Sequence, residues 1–509
     1  MLLLRLMAGK LASDMTSKPT TEDRSWRDLE LPKMELLSLV RMFGPGMILM
    51  MTGVGTSHLV TAPTAGGRFE YALLWCIPVA YISKYYGFEM AFRFTHATGK
   101  SMIEAYATAW KKWPLWYVLI TTILQSAIGQ AGRLIAAAAV MFYLGNSLFG
   151  LDIPIAVYGF VLGSIAVAVI LRGSYQALES ATKILAGILF VSTMVIYFVR
   201  PAPLSAFAHF FQLEFPNDSW LIIAAFLGLL PTGVDVSLQA SEWGKAKKVG
   251  MGKIRGRLEQ AGFAGTFDPF APDRKSLTVH TTELPASVRE YCARWFKIGL
   301  WDFRFGHVIS FILASVFLLL SAMWLYPSPV EGRAVMGEIA GIFTAGVGPW
   351  MMIVFLAGAF AATFSTAFNY FDGWPRIVGA CSRNLFRSTA ALEGTDPQDL
   401  GPEHRADWRS EYNIYRATMI FSLVAAVAII AGVPRPVYLV LVASALAFFV
   451  APVIFFLNVY FCLTVIPKQD PLFYPSRFAI WFSWASLAVF TGLTVILIMA
   501  RLFNVQLFG

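Results

Sequence analysis

Thr52-Gly53-Val54-Gly55-Thr56-Ser57 and Thr232-Gly233-Val234-Asp235-Val236-Ser237 share the pattern Thr-Gly-Val-x-x-Ser, set 180 residues apart. Each stretch lies inside an apolar run, so glycine interrupts what would otherwise be a continuous helix near mid-span. Two such interrupted helices in corresponding positions of two halves mark an inverted repeat, whose broken helices free backbone groups to hold a polar solute at the bilayer midplane. The competing reading is chance plus close packing, since glycine is common in membrane helices.

The apolar context extends along the whole chain. Of 509 residues, 57% are hydrophobic and 14% charged, against about 25% charged in an ordinary soluble domain. That excludes a soluble enzyme, because one or two globular cores could not hide so much apolar surface. Disorder and a disulfide scaffold are excluded by the same composition and by four scattered cysteines, with Cys76 and Cys462 in apolar runs and Cys292 and Cys381 read as lying in polar loops. With about 20 apolar residues required per helix, hydropathy places eleven spans. They lie near 42–68, 71–92, 114–138, 153–172, 181–199, 219–242, 304–326, 348–371, 414–433, 436–466 and 477–502. The fold class is therefore an all-α integral membrane protein of about eleven transmembrane helices, with helices 1 and 6 broken. Its parts are a tail over 1–41, a five-helix repeat over 42–199, a second over 219–466 that contains a loop at 243–303, and an additional helix at 477–502. Within that loop, Ala286 to Lys297 has helical character.

Charge orients the chain. With the N-terminus inside, the inside segments hold 33 of the 40 Lys and Arg and the outside segments only five, leaving Lys84 and Arg133 within spans. Positive residues gather on the cytoplasmic side. The expectation is a multi-pass plasma membrane protein (the inner membrane in a bacterium), with its N-terminus cytoplasmic and its C-terminus outside. The opening Met1-Leu2-Leu3-Leu4-Arg5 is too short to be a secretory signal. The net charge of +9 is accounted for by topology and anionic lipid, so no nucleic-acid partner is expected. Trp110, Trp113, Trp116 and Trp481 read as interface belts.

From Thr52 to Lys100 the chain resembles the NRAMP metal-transporter family. The resemblance is carried by Ala65-Gly66, Tyr71-Ala72-Leu73-Leu74-Trp75 and Ala97-Thr98-Gly99-Lys100, with further echoes at Leu178-Glu179, Pro231 and Gly348-Pro349-Trp350. It spans most of 40–465 and implies a LeuT-type fold, five helices plus five inverted, with an eleventh appended. The family's chemistry does not carry over. Its helix 1 break reads Asp-Pro-Gly-Asn, where this chain has Gly55-Thr56-Ser57-His58. Its helix 6 supplies Met-Pro-His, where this chain has Leu230, Pro231 and Thr232, and its acidic pair in helix 3 falls at Gly129 and Gly132. Both the hard carboxylate and the soft thioether are missing.

The residues left at the two breaks favour a different ligand. Gly53 and Gly55 expose N–H groups at the positive end of a half-helix, which suits an anion. Thr56, Ser57, Thr232 and Gly233 offer hydroxyl and backbone partners. His58 can hydrogen-bond solute, bind metal or titrate near neutral pH. Asp235 is the acidic residue beside the helix 6 break, where an ionised carboxylate is costly enough to imply a function or a partner. A salt bridge to Lys84 or Arg133 is its structural alternative, and Lys84 can also neutralise Glu89 or act as a fixed positive charge in place of a coupling ion. Glu89 itself reads as half of a surface pair, and His96, His209, His280, His307 and His404 as loop or helix-end residues. Three functions follow. The first is secondary transport of a small carboxylate-bearing or zwitterionic solute such as an amino acid, with substrate residues Gly53, Gly55, Thr56, Ser57, His58, Thr232, Gly233 and Asp235 and charge pairing among Lys84, Arg133 and Asp235. The second is divalent-metal transport through Asp235 and His58, and the third a non-transporting membrane sensor. Neither an enzyme nor a cofactor is expected, because adjacent Ser57-His58 is no triad and no phosphate loop occurs.

Overall fold

A computed structural model describes residues 31–32, 55–172, 175–246, 248–261, 281–328, 335–386 and 408–503. All regular structure among them is helical, as a hydrocarbon solvent requires of any segment that is not a closed barrel. A π-helical turn over Ser57–Thr61 leads into α1 (Ala62–Phe69). There follow α2 (Cys76–Thr98), α3 (Met102–Ala107) and a third span made of α4 (Trp113–Leu124), a π-helical turn (Gln125–Gly129) and α5 (Gln130–Phe149). Then come α6 (Ile155–Leu171), α7 (Tyr175–Val199), α8 (Trp220–Leu229), α9 (Val236–Ala246) and α10 (Met251–Gln260). The chain closes with α11 (Ala286–Trp324), α12 (Val335–Val347), α13 (Met351–Phe386), α14 (Glu411–Gly432), α15 (Pro436–Val465) and α16 (Arg477–Phe503).

Six of these elements are long and apolar enough to cross a bilayer, and four shorter apolar helices accompany them. Helix α2 has 23 residues but carries Lys84, Glu89 and Arg93, which is why its hydropathy understates it. The sixth span is two helices, α8 and α9, separated by nonhelical residues from Leu230 onward. The polar stretch at 243–303 holds the end of α9, all of α10 and the first turns of α11, which runs unbroken into the seventh span. The first half of helix 1, the N-terminal tail apart from residues 31–32, and the residues after 503 lie outside the described residues.

Several sequence marks have a packing cause. Gly66 looks like punctuation yet sits inside α1, where a Cβ would come 2.4 Å from the Leu318 carbonyl oxygen of α11. The chain turns instead at Glu70, with φ 54°. In Ala97-Thr98-Gly99-Lys100, Gly99 ends α2 at φ 68° and donates its N–H to Thr95 O at 2.8 Å, a left-handed cap that suits glycine. Ser101 and Glu104 then form a capping box for α3. Two readings of residue environment are corrected. Cys292 and Cys381 are buried within α11 and α13, not in polar loops, and His307 is buried inside α11, away from a helix end. The cause is that α11 begins well before its apolar stretch and α13 continues well after its own. The lipid-facing side carries exposed Phe198, Ile353, Val424 and Trp481.

Candidate functional site

The chain leaves helical geometry at Leu230, whose φ of −92° and ψ of 130° are extended. It regains helix at Val236. The tight fit of α8 against α15 holds the break in the protein interior, since a Cβ on Gly228 would lie 2.1 Å from Ser444 O. Beyond the break, Ser237 Oγ donates to Val234 O at 2.6 Å and accepts from Asn458 Nδ2 at 2.8 Å, so the last residue of the repeated pattern is a structural tie.

Around this break the structure gathers side chains from three spans. Lys84 of α2 donates its ammonium to Gly228 O at 3.0 Å and Thr232 O at 3.1 Å. Thr232 Oγ1 is 3.1 Å from the Tyr370 hydroxyl of α13. Arg133 of α5 lies with its guanidinium carbon 3.6 Å from the centre of the Tyr370 ring and 4.9 Å from that of Trp374, and donates from Nη1 to Gly129 O at 2.9 Å. The charge of Asp235 reaches both Arg133 and Lys84. No ion pair forms, which overturns the salt-bridge expectation for these three. Lys84 is turned to backbone oxygens and Arg133 to aromatic rings.

What distinguishes the cluster is how little of it is satisfied. Both oxygens of Asp235, Gln125 Oε1, Gln130 Oε1, Arg133 Nε and Nη2, both polar atoms of the Gln239 side chain, and Trp374 Nε1 are buried with no hydrogen-bond partner among the described residues. Buried polar groups are nearly always paired. Each unpaired one costs about 1–3 kcal/mol, so a concentration of them at a helix break marks a place where something other than these side chains supplies partners. Gly129 keeps the site compact, since a Cβ there would sit 2.8 Å from the Trp374 ring.

The helix 1 residues stand differently. Thr52 and Gly53 lie outside the described residues. Gly55, Thr56, Ser57 and His58 are buried, and a Cβ on Gly55 would come 2.1 Å from Thr366 Oγ1 of α13, so close packing requires glycine there. His58 is bound into an interface between helices. Its Nδ1 is 3.0 Å from Ser57 Oγ, and its Nε2 is 3.1 Å from Tyr81 OH and 3.0 Å from Ser310 O. Among the described residues no group of three or more His, Cys, Asp or Glu side chains comes together as a metal-holding set. Gly233 borders the Asp235 carboxylate, which would be 2.1 Å from a Cβ at that position. Glu89 is a buried partner of Arg93, not a surface one, because Arg93 folds back along α2 and also donates to Phe473 O at 2.9 Å. Gln125, Gln130, Gln239, Tyr370 and Trp374 escaped the sequence reading. The available signal was polar amides within apolar runs, which inside a membrane are rarely decorative.

At the end of the bundle formed by α3, α9, α13 and α14 lies a second polar region. Arg383 donates to Glu411 Oε2 at 2.9 Å and Glu104 Oε1 at 2.8 Å, and Lys245 also pairs with Glu104. Burial pushes the Glu104 carboxyl up, but Lys245 and Arg383 outweigh it and hold the group well below the usual carboxylate range.

The Nramp family model, described as natural resistance-associated macrophage protein-like, matches residues 46–500. An uncharacterised protein of Pasteurella multocida is 21% identical over 343 residues, covering 65% of this chain and 68% of that one. The divalent metal cation transporter MntH of Bacillus subtilis is 29% identical over 203 residues, covering 37% of this chain and 44% of its own length. Among solved structures, a mutant of the Eremococcus coleocola manganese transporter superposes with a TM-score of 0.59 at 13% identity, covering 93% of this chain and 90% of that one. The nucleobase-cation-symport-1 family transporter Mhp1 superposes with a TM-score of 0.50 at 13% identity, covering 90% and 87%. These likenesses extend over nearly the whole chain and show a LeuT-type fold.

Proposed function

We propose a function from one premise: this chain belongs to the natural resistance-associated macrophage protein-like family and is a multi-pass membrane secondary transporter of an ion or small molecule. Its substrate on this reading is a small solute bearing a carboxylate, with an amino acid as the type case. The observation that carries it is the arrangement at the helix 6 break, where the carboxylate of Asp235 is buried within electrostatic reach of the Arg133 guanidinium and of the Lys84 amino group. A guanidinium beside a single carboxylate leaves little net negative charge to hold a divalent metal and offers a partner to a solute carboxylate. Arg133 Nε and Nη2 are free to donate to a solute carboxylate. Asp235 accepts from its ammonium group, and Gln125, Gln239 and Trp374 close on the remaining polar edges. On this reading the N-terminus is cytoplasmic, supported by the excess of Lys and Arg in the segments on that side.

Divalent-metal transport is the second reading, favoured by the relationship to MntH. It requires Asp235 and freed carbonyls to act without the family's Asp, Asn and Met. The two readings separate in a thermal-unfolding panel of amino acids, small carboxylates, Mn²⁺ and Mg²⁺, since a ligand at 100 times its Kd stabilises by about 2.7 kcal/mol. Stabilisation by an organic acid, lost in Asp235→Asn and in Arg133→Gln, supports the first. Stabilisation by metal alone, lost in Asp235→Asn and kept in Arg133→Gln, replaces it with the second.

A further inference from the structure

Lys84 is fully buried, and its ammonium is directed to backbone, not to a carboxylate. The two acceptors are unusual. Gly228 lies in the last turn of α8 and Thr232 in the nonhelical stretch that follows, so the break denies both oxygens the amide that a continuous helix would present. Carbonyls freed at the C-terminal end of a half-helix lie at the negative end of its dipole, and broken-helix transporters coordinate their driving cation with such oxygens. Here that place is filled by a side chain from another span. Were neutralising Asp235 the purpose, Nζ would sit on the carboxylate, whose oxygens instead have no partner among the described residues. Glu89, the one acid on α2, is already paired with Arg93. The titratable groups whose charge bears on this position are Asp235 and His307.

We infer that the amino group of Lys84 is a tethered occupant of the carbonyl site of the helix 6 break, so that the protein binds no monovalent metal ion there. The inference rests on the fold and on two hydrogen bonds, and holds whichever solute is carried.

The test is thermal unfolding of the purified full-length protein in chloride salts of Na⁺, K⁺ and N-methylglucamine at equal ionic strength. The wild type is expected to melt at one temperature in all three. Lys84→Ala vacates the site, so its melting temperature falls and then rises with the logarithm of added Na⁺, or of methylammonium chloride added as a fourth salt, with no rise from N-methylglucamine, which is too large to enter. Lys84→Met fills the volume without charge and gains nothing from either cation. A Na⁺-specific rise in the wild type overturns the inference, because an open cation site would then remain. A folded Lys84→Ala indifferent to every cation overturns it too. If Lys84→Ala does not fold, the same salt series on Lys84→Ser decides, a Na⁺-dependent rise supporting the inference and indifference to every cation overturning it.

Discussion

Two aspartates, Asp372 and Asp235, are almost equally buried, at 5% and 4% exposure, and their surroundings could hardly differ more. Asp372 Oδ2 accepts from Trp243 Nε1 and from Arg376 Nε, each at 2.8 Å, and its Oδ1 accepts from the Tyr415 hydroxyl. Asp235 has no well-formed hydrogen bond from a described side chain, only the looser approach of Gln125 and Trp374. The first carboxylate ties α9, α13 and α14 together, and the same α13 carries Arg383 into the Glu104 and Glu411 network. The second stands at a helix break among other unsatisfied groups. Burial alone therefore assigns no role to a charge. Saturated hydrogen bonding marks a lock, and a concentration of unmet hydrogen bonds marks a place kept for a ligand.

The contrast breaks most visibly if the lock is opened. Arg383→Met removes the guanidinium from two buried carboxylates at once. Stripping one partner from a buried pair costs about 3–5 kcal/mol, so this variant is expected to unfold far below the wild-type melting temperature in detergent. A variant as stable as the wild type would show that the network contributes nothing, and the two regions would lose their distinction.

Acid probes the same lock without mutation. The folded carboxyl of Glu104 titrates below its ordinary value of 4.5, so the unfolded chain takes up its proton first as pH falls. Stability from this group is complete above about pH 4.5 and is lost progressively below it. Melting temperature measured against pH is expected to decline more steeply there in the wild type than in Glu104→Gln, which starts lower and has less to lose. Parallel curves would remove Glu104 from the account.

How much of this could be read in the chain follows from what each signal depends on. The broken sixth helix was legible because Gly233 and Pro231 act locally on the backbone, and the family was legible because Ala-Thr-Gly-Lys includes a cap that only certain residues satisfy. The inward charges were legible as costly residues in apolar runs, and the structure turns Lys84 to backbone oxygens of the break and Arg133 to the rings of Tyr370 and Trp374. Their partners were not. Which way Arg133 faces depends on the π-helical turn at Gln125–Gly129. One extra residue rotates everything after it by about 100° relative to a uniform helix. Helical-wheel reasoning thus cannot put Gln125 and Arg133 on one site, or predict that Tyr370 and Trp374 lie beneath the guanidinium. His58 misled for the opposite reason. Its place next to the break suggested a ligand, but Tyr81 and Ser310, distant in sequence, bind its ring.

The smallest expected change in stability is also the sharpest test, and it compares the two aspartates by one substitution. Asp372→Asn weakens hydrogen bonds that draw strength from the ionised carboxylate, and hydrogen bonds to charged groups contribute about 1.5–3 kcal/mol each. Asp235→Asn has only the looser approach of Gln125 and Trp374 to lose. It gives up attraction to Arg133 and Lys84, and in return relieves the desolvation of a buried charge, two terms of opposite sign that largely cancel. The melting temperature of Asp235→Asn should therefore stay near that of the wild type while that of Asp372→Asn falls, and solute-induced stabilisation should be lost only in the former. If both variants fall together, Asp235 is a structural charge, and the unmet hydrogen bonds at the helix 6 break do not mark a binding site.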